Sequence, residues 1–308
     1  MKTHFPRTCA SFVSLAALLS LPPLLSAPAR AQTTPEMTFR PSLIERTAFS
    51  YSYSGKAGSR NDAISGGSSV QHFDTSTNTP RVLGKGTYES DGLAFSMNWI
   101  GSDASVPAPI HLGELSMNFG VISKLSQEWT LMAFARPGYY ADFSHFTWAT
   151  INVPVMAAAS YSPNQQCTWM FGASCNPFSR YVVMPVLAFR WKFADAWTLN
   201  LGFPRFGVAW QVSDKVELSV HATGQGGAFR TTRAPNNRPD LANTYVDYRE
   251  LRIGVRMTFK DTENKINTAL EAGCMARRDF NYYNRNFTLR ESPTFYVTFA
   301  AGGNRETR

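Results

Sequence analysis

Beyond its first 31 residues this chain has no run approaching ~18 consecutive apolar residues, which excludes a membrane-spanning helix there. It also lacks any stretch of comparable length with a sustained helical period. Cysteine is scarce. Four occur in 308 residues, and three of them, Cys167, Cys175 and Cys274, lie beyond the N-terminal segment. An odd number gives no closed disulfide framework. Cys167 and Cys175 fall on one predicted strand, about 27 Å apart at ~3.4 Å per residue and too far to bridge. All three occur in apolar phase and read as packing residues.

Charge is thin as well, at 17% of residues, with no block of one sign. Lys2, Arg7 and Arg30 fall in the first 31 residues, which leaves 27 basic against 22 acidic residues, a net +5. That excess is spread along the chain, which argues against nucleic acid as a partner. No metal-ligand spacing and no phosphate-binding glycine loop appear, so no metal and no cofactor are expected. Gly224-Gln225-Gly226-Gly227 ends a strand and reads as easing a turn. The mean hydropathy of −0.23 argues against a helical membrane protein, but not against a barrel with a polar lumen.

Residues 1–31 read as a cleaved secretory signal. Lys2 and Arg7 give the positive start, Phe12 to Leu25 an apolar stretch broken by Pro22 and Pro23, and Ala29-Arg30-Ala31 a cleavage site. The mature chain is dominated by two-residue alternation. Leu251, Ile253, Val255, Met257 and Phe259 alternate with Arg252, Gly254, Arg256 and Thr258; Leu115, Met117, Phe119 and Val121 alternate with Ser116, Asn118 and Gly120. A strand sends successive side chains to opposite faces, so one face is greasy and the other polar. On an exported chain this suits lipid outside and water inside, an all-β antiparallel transmembrane β-barrel of the outer membrane.

Strands are predicted at 49–55, 68–75, 90–100, 112–125, 128–140, 150–162, 166–176, 181–193, 197–203, 206–212, 215–228, 244–259, 265–278 and 293–300. That is about 14, or 12 if the Gly-, Ser- and Thr-rich stretch from Gly55 to Glu89 holds one pair fewer. The predicted domains are the signal peptide at 1–31, the barrel at 32–300 and a polar C-terminal tail at 301–308. Connections alternate short and long along the chain, with a tight Pro204-Arg205 turn as the exception. Outer-membrane barrels place short turns in the periplasm and long loops outside. Aromatics near strand ends, among them Trp99, Trp129, Trp191 and Trp197, match interfacial girdles.

From about Leu112 to Phe299 the sequence resembles an uncharacterised family of bacterial outer-membrane β-barrel proteins, a domain of unknown function. The carrying stretches are Leu125-Ser126-Gln127-Glu128-Trp129-Thr130-Leu131 with Arg136-Pro137-Gly138, Phe189-Arg190-Trp191-Lys192-Phe193, and Ala196 to Leu201 with Phe203-Pro204-Arg205. Val246-Asp247-Tyr248-Arg249-Glu250 and Glu271-Ala272-Gly273 leading to Arg277-Arg278-Asp279-Phe280 complete the set. The resemblance implies place and fold and is silent on substrate. Here Phe299 is followed by residues 300–308, whereas such barrels usually end on the aromatic itself.

On the inward face Glu217 and His221 share a side with Glu250, Arg252 and Arg256 of the next strand and Glu271 of the one after. Pairing around a Lys260–Asn264 turn puts Glu271 roughly opposite Arg252. These charges either line a lumen that holds solute or form cross-strand pairs that stiffen it. No nucleophile with a positioned base is suggested by spacing, so no catalytic residue and no enzyme are expected. The stretch from Asp279 to Ser292 is predicted as an extracellular loop carrying Phe280, Tyr282, Tyr283 and Arg285, either a contact surface or a lid.

The expected function is a passive pore or transporter for small hydrophilic solutes. The alternative is a non-conducting structural or surface-interaction barrel that works through its loops. Expected partners are outer-membrane lipid, the barrel-assembly machinery during biogenesis and a small solute.

Overall fold

In a computed structural model, residues 44–306 are described apart from 62, 203–204, 237 and 262–264. The predicted signal peptide and the start of the mature chain lie outside the described residues. Seventeen hydrogen-bonded segments form one sheet. They are β1 (Ile44–Gly58), β2 (Gly67–Gly84), β3 (Thr87–Ser102), β4 (His111–Lys124), β5 (Trp129–Ala135), β6 (Gly138–Ala141), β7 (Ile151–Asn152), β8 (Val155–Tyr161) and β9 (Cys167–Cys175). Then come β10 (Val183–Ala194), β11 (Trp197–Gly202), β12 (Arg205–Ser213), β13 (Val216–Thr231), β14 (Thr244–Asp261), β15 (Ile266–Tyr282), β16 (Phe287–Glu291) and β17 (Thr294–Glu306).

Three of these segments continue their predecessor across a proline: Pro137 between β5 and β6, Pro154 between β7 and β8, and Pro293 between β16 and β17. Proline has no N–H to give the ladder, so pairing lapses for a residue or two and then resumes. Counted as crossings, the seventeen segments make fourteen strands. Each pairs antiparallel with the next, and β17 pairs with β1 from Ile44↔Glu306 to Ser54↔Tyr296, which closes the barrel. Closure satisfies the backbone of what would otherwise be two open edges.

The barrel is inside-out. On β14, Leu251, Ile253, Val255, Met257 and Phe259 are 39% to 49% exposed, while Glu250 and Arg252 on the other face are 2% and 3% exposed. Water-soluble sandwiches bury the first set and expose the second. Trp197 stacks on Trp210 at 5.6 Å, and Trp129 lies 4.8 Å from Tyr161, at the short-turn end of the outward face. Trp148 and Phe146 stand exposed at the long-loop end. Aromatic rings thus mark both boundaries of the apolar band.

Two boundaries move from their predicted places. Within the stretch between Gly55 and Glu89, β2 runs on to Gly84 and turns through Lys85-Gly86, which fixes the count at fourteen. β17 continues through Glu306 in register with β1, so residues 301–306 are ladder, past the predicted end of the barrel at 300. The predicted loop 279–292 is largely ladder too. β15 extends to Tyr282, and β16 pairs back on it from Tyr282↔Phe287 to Arg278↔Glu291.

Candidate functional site: a filled half and a wet half of the lumen

At the long-loop end the connections fold inward. Val106 and Ala108 of the β3–β4 loop, Phe178 of the β9–β10 loop and Leu241 of the β13–β14 loop pack with wall residues Leu112, Phe229, Val246, Phe280, Tyr282 and Leu289 in one buried apolar cluster. Phe280 and Tyr282, expected in an outer loop, are completely buried in this plug. Tyr283 sits at its edge, donating its hydroxyl to the Phe178 carbonyl at 2.9 Å, and partial burial pushes its phenol up to about 12. Arg285 alone of the four is exposed on the turn.

A β-bulge explains the difference. Arg252 pairs with Met275 but Leu251 pairs with Arg277, so Ala276 is an extra residue. The extra residue inverts the phase of β15 beyond it. Arg278, Phe280 and Tyr282, which share a parity with the lipid-facing Leu270 and Ala272, therefore point inward.

Beneath the plug lies a buried ionic network. Arg278 donates to Glu250 Oε1 at 2.7 Å, to Glu291 Oε2 at 2.9 Å and to the Ser68 carbonyl at 3.0 Å. Glu250 also receives Arg252 Nε at 2.7 Å and the Tyr248 hydroxyl at 2.6 Å. Arg252 reaches Ser52 and Ser54 on β1 at 3.0 and 3.2 Å. Two guanidinium groups face two carboxylates, so the cluster is neutral, and each charge is both paired and hydrogen-bonded, as burial demands.

The second group is separate. Glu271 receives the Tyr296 hydroxyl at 2.8 Å and Arg256 at 3.5 Å, with His221 Nε2 at 3.2 Å. His221 Nε2 is close to the carboxylate but is not aligned for a hydrogen bond. Glu271 lies opposite Arg256, not Arg252. The turn is centred later than the Lys260–Asn264 placement, with Asp261 paired to Ile266, and the register moves with it. The third group, Glu217 with Lys260 at 2.8 Å and Gln211, lies toward the short turns. The six lumen residues expected from sequence all face inward, then, but they divide into three clusters. Arg278, Glu291, Tyr248 and Tyr296 are the members the sequence reading missed.

The neighbouring stretch of wall, β9 to β12, is wet. On β10 and β12 the inward positions Arg190 and Arg205 are exposed, and Thr168 and Met170 on β9, Asn200 on β11 and Gln211 on β12 are half-buried. Side chains that face the lumen yet remain accessible border solvent inside the barrel. One wall of the barrel is packed solid, while the other borders water.

The domain of unknown function DUF6268 matches residues 97–292, well over half the chain. The chain belongs to this family. No curated protein matches it. Among solved structures it is similar to the COG4313 outer membrane channel from Pseudomonas putida F1, at 9% identity and a TM-score of 0.49, over 89% of this chain and 100% of that one. It is also similar to the Pseudomonas putida toluene transporter TodX, at 7% identity and a TM-score of 0.37, over 86% and 89%. The NanC porin stands at 8% and 0.36, over 84% and 98%. At such identities the likeness concerns fold alone. The inverted burial and the closed fourteen-strand ladder make this DUF6268 member an outer-membrane β-barrel.

Proposed function

We infer that the barrel is a passive pore for small hydrophilic solutes, held closed at its outer mouth by the apolar plug. The observation that carries this reading is the accessible, inward-facing row of Arg190, Arg205, Asn200 and Gln211 on β10–β12, set against the buried wall of β14–β17. A barrel with no solute to admit has no use for a wet half, and fourteen strands enclose more than the ~8 whose side chains fill the interior. Cations outnumber anions on the wet wall, so anionic solutes enter more readily than cationic ones. Loops supply the plug, and their motion on the microsecond-to-millisecond scale opens it.

The test is single-channel recording in a planar bilayer: brief, infrequent openings with an anion-preferring reversal potential. A bilayer that stays silent at every voltage overturns the reading. The second reading, a non-conducting barrel that works through its loops, rests on the completeness of the plug, whose Leu241, Phe280, Tyr282 and Leu289 are fully buried. Silence, with the barrel shown to be folded, favours it.

A further inference from the structure

The two ends of the barrel carry different cations. Lys85, Lys124, Lys192, Lys215, Lys260 and Lys265 all lie at the short-turn end. At the long-loop end the described residues offer one lysine, Lys56, which is paired to Asp103 at 2.6 Å. The other cations there are arginines, and several stand in a row on the outside of the wall.

The row crosses four neighbouring segments. Arg249 of β14, Asp279 of β15 and Arg290 of β16 are direct partners across the ladder. A bridge between Ser59 and Glu291 then sets Arg60 opposite Arg290, whose carbonyl accepts the Arg60 N–H at 2.8 Å. At ~4.8 Å per strand the row spans ~14 Å. Arg249 keeps the lipid-facing parity of Leu251, and Arg290 alternates with the buried Leu289 and Glu291, so both point outward. Arg277, the partner of Leu251, lies one step nearer the membrane. Beyond Arg249, the Arg180 and Arg249 guanidinium groups sit 5.6 and 5.9 Å from the Tyr181 ring centre.

Five arginines thus meet two carboxylates. Asp247 is taken by Arg249 at 3.1 Å and Asp279 by Arg277 at 2.5 Å. Arg60, Arg180 and Arg290 have no ion pair among the described residues, which leaves the face at +3. Like charges held this close repel one another unless an anion lies across them.

Directly below Arg277 the wall is furrowed. The lipid-facing positions of β15 there are the small Cys274 and Ala272. Ile253 and Val255 of β14 flank them on one side, and Phe295 and Val297 of β17 on the other. These four are 39% to 58% exposed and stand as ridges. Leu270, between Met257 and Phe299, closes the lower end.

We propose that this face binds an outer-leaflet lipid whose head carries phosphomonoester groups. The phosphates lie across Arg249, Arg290 and Arg60, and one acyl chain lies in the furrow below Arg277. Long loops face outward in such barrels, so the row falls at the outer boundary of the apolar band. A guanidinium fork matches phosphate oxygens two at a time, which an ammonium cannot do, and this accounts for arginine in place of lysine on the row. The site lies outside the lumen and stands whether or not the barrel conducts.

The test reconstitutes the full-length barrel in phosphatidylcholine liposomes containing a small fraction of diphosphoryl lipid A. It is then extracted into mild detergent, and retained lipid is counted by native mass spectrometry. One lipid A is expected on each wild-type barrel. The double variant Arg60→Gln with Arg290→Gln should retain at least tenfold less, whereas Arg233→Gln with Arg285→Gln, equal in charge but off the row, should retain as much as wild type. Lipid A stripped of both phosphates should not be retained, and millimolar inorganic phosphate should not displace the intact lipid. Ala272→Phe, which fills the furrow, should lower retention severalfold. Equal losses in the two double variants overturn the site, as does equal retention of the stripped lipid. Displacement by inorganic phosphate overturns a lipid as the occupant, and retention untouched by Ala272→Phe overturns the seat of the chain. Should the first double variant fail to fold, Arg290→Lys keeps the charge and removes the fork. Severalfold weaker retention is expected there, and unchanged retention overturns the assigned head group.

Discussion

Replacing Arg278 by Met tests whether the β14–β17 wall is dry. Arg278 is fully buried and is bracketed by Glu250 at 2.7 Å and Glu291 at 2.9 Å. At an effective dielectric near 20, each contact is worth ~6 kcal/mol before desolvation is subtracted. In the single variant Glu250 keeps Arg252, but Glu291 is left as a buried carboxylate with only the Ser68 hydroxyl, 2.6 Å away. Removing one partner of such a pair typically costs ~3–5 kcal/mol, mostly the penalty of the stranded charge. Arg278→Met with Glu291→Gln restores neutrality and should recover most of that loss. The assay is urea unfolding of the barrel in liposomes, followed by tryptophan fluorescence and by the shift between heated and unheated bands on a gel. The signature is a non-additive cycle, with the double variant clearly more stable than Arg278→Met alone. A loss below ~1 kcal/mol in the single variant would show that water reaches Glu291, and the picture of a solid wall would be wrong.

Four other perturbations probe the plug, the lipid face, the β13 edge and the loop above it. Tyr282→Ala removes a fully buried ring from the plug, costs ~3–5 kcal/mol and should raise the open probability in planar bilayers; unchanged gating places the barrier elsewhere. Val255→Arg puts a charge on the lipid face near mid-strand and should cost ~2–4 kcal/mol, whereas a neutral effect by urea titration would deny that this face meets hydrocarbon. Gly226→Ala forces a Cβ into the Tyr248 carbonyl at φ +135 and should lower the midpoint of heat modification, which an unmoved midpoint would contradict. Asp240, in the β13–β14 loop, is held below the ordinary carboxylate range by its hydrogen bond from Arg238. That latch is therefore intact above the unfolded-state aspartate value and is lost only as pH falls through the lower folded one. The amide protection factors of residues 238–242, which remove the pH dependence of intrinsic exchange, should fall on that acidic side and not between pH 5 and 8.

How much was legible depended on phase. Strands such as β14 keep one parity from Tyr248 to Lys260, and there the alternation fixed both the crossing and its inward charges, Glu250, Arg252 and Arg256. β15 changes parity at Ala276, and nothing in the local pattern distinguishes a bulged residue from an ordinary one. Phe280 and Tyr282 were accordingly placed in an outer loop, and the inward role of Arg278 was missed. The partners that the network finds on β1 and β2 are serines, Ser52 and Ser54 for Arg252 and Ser68 for Glu291, too common to signal anything before the barrel closes and brings residues some 200 positions apart together. The proline breaks at Pro137, Pro154 and Pro293 did no harm, because pairing resumes in the same register beyond each. The short Pro204-Arg205 turn was visible in the sequence as an exception to the loop pattern.

The claim on which the rest depends is an inverted barrel wall, and β9 tests it with least disturbance, since its inward positions are small or half-buried. Nitroxide labels placed singly from Thr168 to Ser174 in liposomes should report oxygen accessibility at 169, 171 and 173, and accessibility to a water-soluble nickel chelate at 168, 170, 172 and 174. That period of two, opposite for the two reagents, is the expected result. Equal accessibility on both parities, or chelate access at Trp169 and Phe171, would contradict it.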